Sequence, residues 1–481
     1  MWFETDAFGS WSIGAGAVAH SVLALLVTLH VLRKKRDVGA AIAWMGLVWL
    51  SPFIGSGLYF AFGINRVQRR ARRLRRRGRR APDAPARRRG TPQSNHLAAL
   101  ERAAGRITGR DMTPGNSVRI LRSGDEAYGP MIAAIDAARH SVALASYIFN
   151  VDESGETFIA ALVRAHERGV AVRVLIDGIG GGYFLSPAWR RLRRAGVPAA
   201  RFLRSSLPWR MPILNLRNHK KILCIDGLVG FTGGLNIGDE NLRGAGMKRA
   251  VRDTHFRFEG PVVEQLTEAF AEDWFYTTAE DLDGEAWFPE TIPAPSAGGG
   301  DVSARVVTSG PDDDFEKIEL VVLHAISCAR KSIKILSPYF LPHDGLITAL
   351  QLAAMRGVEV DILVPATTDH PLVDWARRAQ IRPLVQYEGC QVFLSPPPFE
   401  HSKLMVIDEI WGLIGSANWD ARSFRLNFEL NVEVHDGELV RRISEAIDRR
   451  RGPELTADQF ERYPFLKDLR DNAARLMLPY L

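Results

Sequence analysis

The sequence predicts an α/β body of two similar halves, mixed sheets flanked by helices and packed around one site, behind an N-terminal helical membrane anchor. Three observations predict it. Two apolar stretches near the N-terminus are long enough for membrane segments. The order strand, helix, strand, helix, strand occurs twice in the rest of the chain. Each copy then leads to the same polar spacing, His-x-Lys-x-x-x-x-Asp with an asparagine 17 residues after the histidine.

The anchor comes first. Trp11 to Leu32 is 22 residues without a formal charge and Val38 to Ile64 is 27 more, separated by the basic knot RKKRD. A cleaved signal peptide fits the first stretch badly, because Glu4 and Asp6 precede it with no Lys or Arg, and no small-residue cleavage site follows. Thirteen Arg between Arg66 and Arg89 outweigh the four basic residues of the knot, so the positive-inside rule places that cluster and the body after it in the cytoplasm. Two spans would translocate the knot. A re-entrant second stretch, which Pro52 and several Gly permit, would keep both clusters inside. The expected layout is an anchor over 1–64, with segments at about 11–32 and 38–64, and an Arg-rich linker over 65–110 that marks topology and attracts anionic membrane lipid.

The net charge of +7 is unevenly placed. Residues 1–97 hold 17 Lys and Arg against 4 Asp and Glu, leaving 45 against 51 beyond them. A mildly acidic body disfavours nucleic acid as a partner.

From Val118 the composition is that of a globular α/β protein. VRILRSG, SVALASYIF and VAVRVLID read as strands, with helices over Tyr128–Arg139 and Glu156–Arg168. The second copy reads ARVVTSG, helix Phe315–Arg330, SIKILSPYF, helix Gly345–Arg356, and VEVDILVP. Thr277–Asp301, rich in Pro, Gly and acids, separates them. The domains are expected at 111–290 and 302–481. Cys224, Cys328 and Cys390 are too few and too scattered for a metal cluster or a disulfide framework.

The polar unit sits in NHKKILCIDGLVGFTGGLN and again around HSKLMVID and GSAN. Residues two apart share a face of an extended strand, so His219 points with Lys221 and His401 with Lys403. Turns at Asp226-Gly227 and Asp408-Glu409 divide apolar runs into strand pairs. Two units face to face supply two imidazoles and two ammoniums, the inventory for displacement at a phosphodiester through a covalent phosphohistidine. Lys221, Lys403, Asn236 and Asn418 can bind non-bridging oxygens, so no metal or other cofactor is required. Ser416 can donate a hydroxyl where its counterpart Gly234 cannot, which makes it a further substrate-binding candidate beside Asn236 and Asn418.

These units resemble the phospholipase D superfamily. The fuller pattern, with AIAWMGLVWLSPFIGSGLYFAFGINR, LNLRNHKKILCIDG, TGGLNIGDE, RDTHFRFEG, GSANWDARSF and LNFELN, resembles the bacterial cardiolipin synthases within it. The resemblance implies two phospholipase D-like domains, a multi-pass protein of the bacterial cell membrane, and phosphatidyl transfer from one phosphatidylglycerol to another with release of glycerol. It also implies that His219 attacks phosphorus while His401 serves as acid and base. Each imidazole needs a partner on its other nitrogen. Asp253 and Glu429 lie where the family pattern has an acid, and each is matched with the histidine of its own unit. Asp226 and Asp408 complete the catalytic motif, although a carboxylate beside a turn commonly satisfies backbone donors. Tyr147 and Tyr339 end matching strands from which they could reach the site, although a tyrosine at the edge of the core is the commoner arrangement. Hydrolysis by water, transfer to another alcohol and nuclease chemistry would use the same residues. The oligomeric state stays open.

Overall fold

The computed structural model describes residues 5–34, 38–51, 53–63, 96–182, 185–203, 216–242, 250–295, 300–311, 314–368 and 370–477. The Arg run 66–89 and Pro52 fall outside these residues, as does most of the loop 241–248 that separates Asn236 from Asp253. Two compact units are present, Met1–Arg70 and Ala71–Leu481.

In the first unit one helix runs from Thr5 to Lys34, and its Gly16–Lys34 portion is 19 residues with mean hydropathy 1.6, long and apolar enough to cross a membrane. Val22, Leu25, Leu26, Leu29 and Leu32 point outward, as a lipid-facing surface requires. The second stretch is not one helix. It stops at Leu50 after 13 residues and resumes at Ile54, with Phe53 at φ 61° between. At 1.5 Å per residue the longer piece covers about 20 Å of an apolar layer of roughly 30 Å. Among the described residues a single helix therefore has spanning length, where the sequence suggested two.

The second unit is built on a 15-stranded sheet whose order displays the duplication. Two antiparallel strands, Thr113–Arg122 and Val302–Ser309, pair at its centre. Outward from the first come Thr254–Glu259, Val229–Gly233, Ile222–Ile225, Ser141–Ser146, Ala171–Asp177 and Ala199–Phe202. Outward from the second come Glu429–His435, Trp411–Gly415, Leu404–Ile407, Ser332–Leu336, Glu359–Pro365 and Cys390–Ser395 in the same order, with Glu454–Leu455 at the edge. The two expected sheets are thus continuous. Strands of both central hairpins are buried on both faces, which explains why their apolar runs do not alternate.

The helices lie near their expected positions, at Ser123–Ala137, Glu153–Glu167, Lys317–Cys328 and Asp344–Met355. The linker expectation over 65–110 is too long at its C-terminal end. Ala98–Thr108 is a helix, and Leu97, Leu100 and Ala104 enter the core beside Val321, Val322 and Ala325 of the second half. Its apolar positions recur three and four apart, inside a composition dominated by Arg. The segment predicted as an inter-domain linker also contributes to packing, with Leu282 and Trp287 buried.

Candidate active site

Each histidine lies in the extended chain just before a hairpin strand, and each such leader pairs with the opposite half. Asn218 bridges Phe428 in parallel, the His219 N–H donating to the Phe428 carbonyl at 2.9 Å. Phe399–Glu400 pairs in parallel with Val251–Arg252, the His401 N–H donating to the Arg252 carbonyl at 2.7 Å. The residue after each acceptor is an acid, Glu429 and Asp253. Parallel pairing therefore delivers to each imidazole the carboxylate of the other half.

The hydrogen bonds follow that crossing. His219 Nδ1 lies 3.1 Å from Glu429 Oε2 and 3.1 Å from the Ser416 carbonyl. His401 Nδ1 lies 2.7 Å from Asp253 Oδ2. This corrects the matching of each acid with its own unit, which followed the order of the chain and took no account of strand exchange between halves. Both partners of His219 Nδ1 can only accept, so Nδ1 carries the proton and the neutral ring keeps its lone pair on Nε2.

Ser416 is also reassigned. Its hydroxyl donates to Glu429 Oε2 at 2.6 Å, so it steadies an acid and is not left for substrate. Gly234 is the counterpart for a steric reason: a Cβ there would stand 2.2 Å from Asp253 Oδ1. Gly234→Ser, which imitates the second half, should therefore displace the Asp253 carboxylate and lower kcat roughly 100-fold, a loss of the size expected when a proton-transfer group is mispositioned. Wild-type kcat in a variant whose folding is confirmed by circular dichroism would refute the packing argument.

Both lysines stay beside their histidines. Lys221 Nζ donates to the His219 carbonyl at 2.7 Å, and Lys403 Nζ lies 2.8 Å from His401 Nδ1 while donating to the His401 carbonyl. Burial pushes His219 down to about 4, with Glu429 opposing and Lys221 reinforcing. Burial and then Lys403 lower His401. Burial also lowers Lys221 to about 7 and Lys403 to about 8, although Glu429 and Asp253 respectively support their charges. The two acids remain ionised: burial opposes their charge, but Lys403 and His401 hold Asp253 below its ordinary value, and His219 and Lys221 do the same for Glu429.

Around this core, Asn236 Oδ1 accepts from the Ile148 N–H at 3.2 Å, which leaves its amide NH2 as the ligand-binding end. Asn418 is buried with Oδ1 unpaired among the described residues. Asp226 and Asp408 stand apart from the chemistry. At φ 53° and 52° they close the hairpin turns, and their carboxylates accept backbone N–H groups of residues 139–141 and 330–332. They staple each turn to the next strand, so they are better assigned to structure than to the catalytic set. Tyr147 does reach the site: its ring centroid is 4.9 Å from that of His219 and 5.3 Å from Lys221 Nζ, and Arg217 holds its hydroxyl at 3.1 Å. Tyr339 stands 6.5 Å from His401. Arg217 escaped the sequence reading, although it lies two residues before His219 in an extended segment and so shares its face.

Comparison with known proteins adds to this geometry. The family described as "Cardiolipin synthase, PLD-like domain" matches residues 131–274 and 322–451, and that described as "Phospholipase_D-nuclease N-terminal" matches residues 22–63. The chain is 31% identical to a cardiolipin synthase of Geobacillus kaustophilus over 98% of its own length and 96% of the relative's. It is likewise 31% identical to the major cardiolipin synthase ClsA of Bacillus subtilis, covering 95% and 97%. In fold it is similar to a phosphatidylserine synthase of Haemophilus influenzae, with TM-score 0.60 and 14% identity over 80% of this chain and all of the other.

Proposed function

Since the chain belongs to the cardiolipin synthase family of phospholipase D-like proteins, we propose that it joins two phosphatidylglycerol molecules into cardiolipin and glycerol through a phosphohistidine. The crossed pairing of each imidazole with the other half's acid is the observation that carries this reading, because it makes one two-histidine site out of two halves. His219 Nε2 attacks phosphorus, the bond to the departing glycerol oxygen breaks, and His401 gives that oxygen a proton. His401 then takes the proton of the acceptor hydroxyl, whose oxygen displaces His219 from phosphorus. Lys221, Lys403, Asn236 and Asn418 face the non-bridging oxygens, where charge grows in the transition state. The working domain limits are 111–290 and 302–481, with a helical extension at 97–108 joined to the second. A multi-pass anchor with a cytoplasmic body is part of the same proposal, supported by the bias of positive charge after Ile64.

Purified full-length protein in micelles, given labelled phosphatidylglycerol alone, should produce cardiolipin and glycerol. Phosphatidic acid as the main product would replace this reading with a hydrolase.

Two consequences can be measured in the same assay. The lysines supply the positive field that a divalent ion would otherwise bring, so activity should persist in excess chelator; loss in chelator, restored by one particular ion, would defeat the mechanism. The pH profile should also be asymmetric. His219 is neutral above about 4, and Lys221 and Lys403 are charged below about 7 and about 8. His401 must start protonated to act as the acid, and burial and then Lys403 lower it below its ordinary value. Accordingly kcat/KM, which reports the free protein, should begin to fall below neutrality as His401 loses its proton and fall further through 7 to 8 as the lysines lose their charge. A profile level to pH 9 would show that the lysine charges are not needed.

A further inference from the structure

The helix Phe465–Arg475 is turned inside out relative to an ordinary surface helix. Phe465 and Leu466 are each 75% exposed and Leu476 is 76% exposed, with Leu469 and Met477 also in the open. At 100° per residue these five positions fall within an arc of about 120°. The side toward the body is polar or small. Asp471 is buried and accepts from Tyr463 at 2.8 Å, and Ala474 packs with Ala376 and Leu341. Single exposed leucines are ordinary, but one continuous apolar arc with the polar side turned inward is not.

The exposed charges around this arc lean basic, three cations against Glu461. Arg462, Lys467 and Arg475 are exposed, whereas Asp468 is paired with Arg382 at 2.9 Å and Asp471 is bound inward. The place in the fold is equally specific. The helix packs on Pro371–Val385, Arg470 lying 4.5 Å over the Trp375 ring. Residue His370, just before that second helix, has its ring 6.2 Å from Tyr339, which in turn stands over His401.

We propose that the outward face of Phe465–Arg475 lies in the surface of an anionic bilayer and brings lipid headgroups to the His401 side of the site. The basic flanks match an anionic lipid surface, and the helix stands on the His401 side of a site whose proposed substrate is itself an anionic lipid. The helix would enter only to the depth of the headgroup and upper acyl region, roughly 5–10 Å, as an amphipathic segment does. The proposal rests on the reading of the substrate as a membrane lipid and says which surface meets that membrane.

The test uses full-length protein with Cys328→Ser, carrying a nitroxide at Leu469→Cys or, as a control, at Lys467→Cys. In vesicles containing phosphatidylglycerol the label at 469 should gain oxygen accessibility and lose access to an aqueous nickel complex at least about fivefold relative to the label at 467. A label at 469 that stays open to the aqueous reagent would overturn the proposal. Spin–spin broadening without a depth signature would overturn it too, in favour of a second copy of the chain. The paired variant Phe465→Glu with Leu469→Glu changes only exposed side chains. It should lower transfer from bilayer phosphatidylglycerol by at least about tenfold, partial burial of two apolar groups already sufficing for that, and leave transfer between short-chain monomeric substrates unchanged. Equal loss on both substrates would reject docking. If wild-type protein makes cardiolipin from neither substrate, the functional reading fails while the depth measurement still decides where the helix lies.

Discussion

Replacing His401 with alanine should give a protein that accepts the phosphatidyl group and cannot pass it on, whereas replacing His219 should give one that never accepts it. Turnover should fall by about 10⁴-fold or more in both, because transfer needs the nucleophile for its first half and the acid-base partner for departure and acceptance. The variants separate in the first half-reaction. His401→Ala should still form the adduct slowly, most readily from a substrate whose leaving group needs no proton. A denaturing quench at alkaline pH, which preserves the P–N bond, followed by mass measurement of the intact protein under non-acidic conditions reads this directly. The geometry favours His219 as the attacking group, since its Nδ1 proton is held between the Glu429 carboxylate and the Ser416 carbonyl and the lone pair is left on Nε2. An adduct on His401 in the His219→Ala protein would reverse the roles and leave the paired site standing.

The legible parts of this protein were those written in local periodicity or in repetition. Both hairpins turn where Asp226-Gly227 and Asp408-Glu409 indicated, and the two strand-helix series agree with the sheet order. Repetition also picked out the histidines, lysines and asparagines. What escaped was long-range or masked by composition. No local pattern says that Asp253 serves His401, 148 residues away, because the leader strands pair only once the halves meet. Ser416 looked like a ligand because a hydroxyl is attractive at that offset; only the position of Glu429 shows that it is already engaged. Ala98–Thr108 was hidden because its apolar stripe lies at the end of a chain segment full of Arg.

The duplication also explains why the two halves tolerate different acids. The Gly234 position leaves room for the short Asp253 to approach His401 closely, and a larger residue there would occupy the same space. In the other half the longer Glu429 reaches His219 while its oxygens accept from Ser416 and, at 3.1 Å, from Asn427. Size at one position and length at the other compensate, so the two histidines keep similar support while the packing is not interchangeable.

The last prediction tests the crossing itself. Asp253→Asn lies in the half that contains His219 yet should behave as a His401 lesion, with adduct accumulating on His219. Glu429→Gln lies in the half that contains His401 yet should slow adduct formation. An amide in place of either acid can donate to Nδ1, which favours the tautomer with its proton on Nε2, and kcat should fall by roughly 10²–10⁴. The two losses should be unequal. His219 Nδ1 retains the Ser416 carbonyl as an acceptor at 3.1 Å, so Glu429→Gln belongs near the lower figure. The His401 ring has Lys403 on the same nitrogen, so losing Asp253 removes the acceptor that holds its proton, and Asp253→Asn belongs near the upper figure. Combining each acid variant with each histidine variant completes the test: strong non-additivity should appear for Asp253 with His401 and for Glu429 with His219. Coupling within the halves instead would mean that the chain order, and not the exchanged strands, decides which carboxylate serves which imidazole.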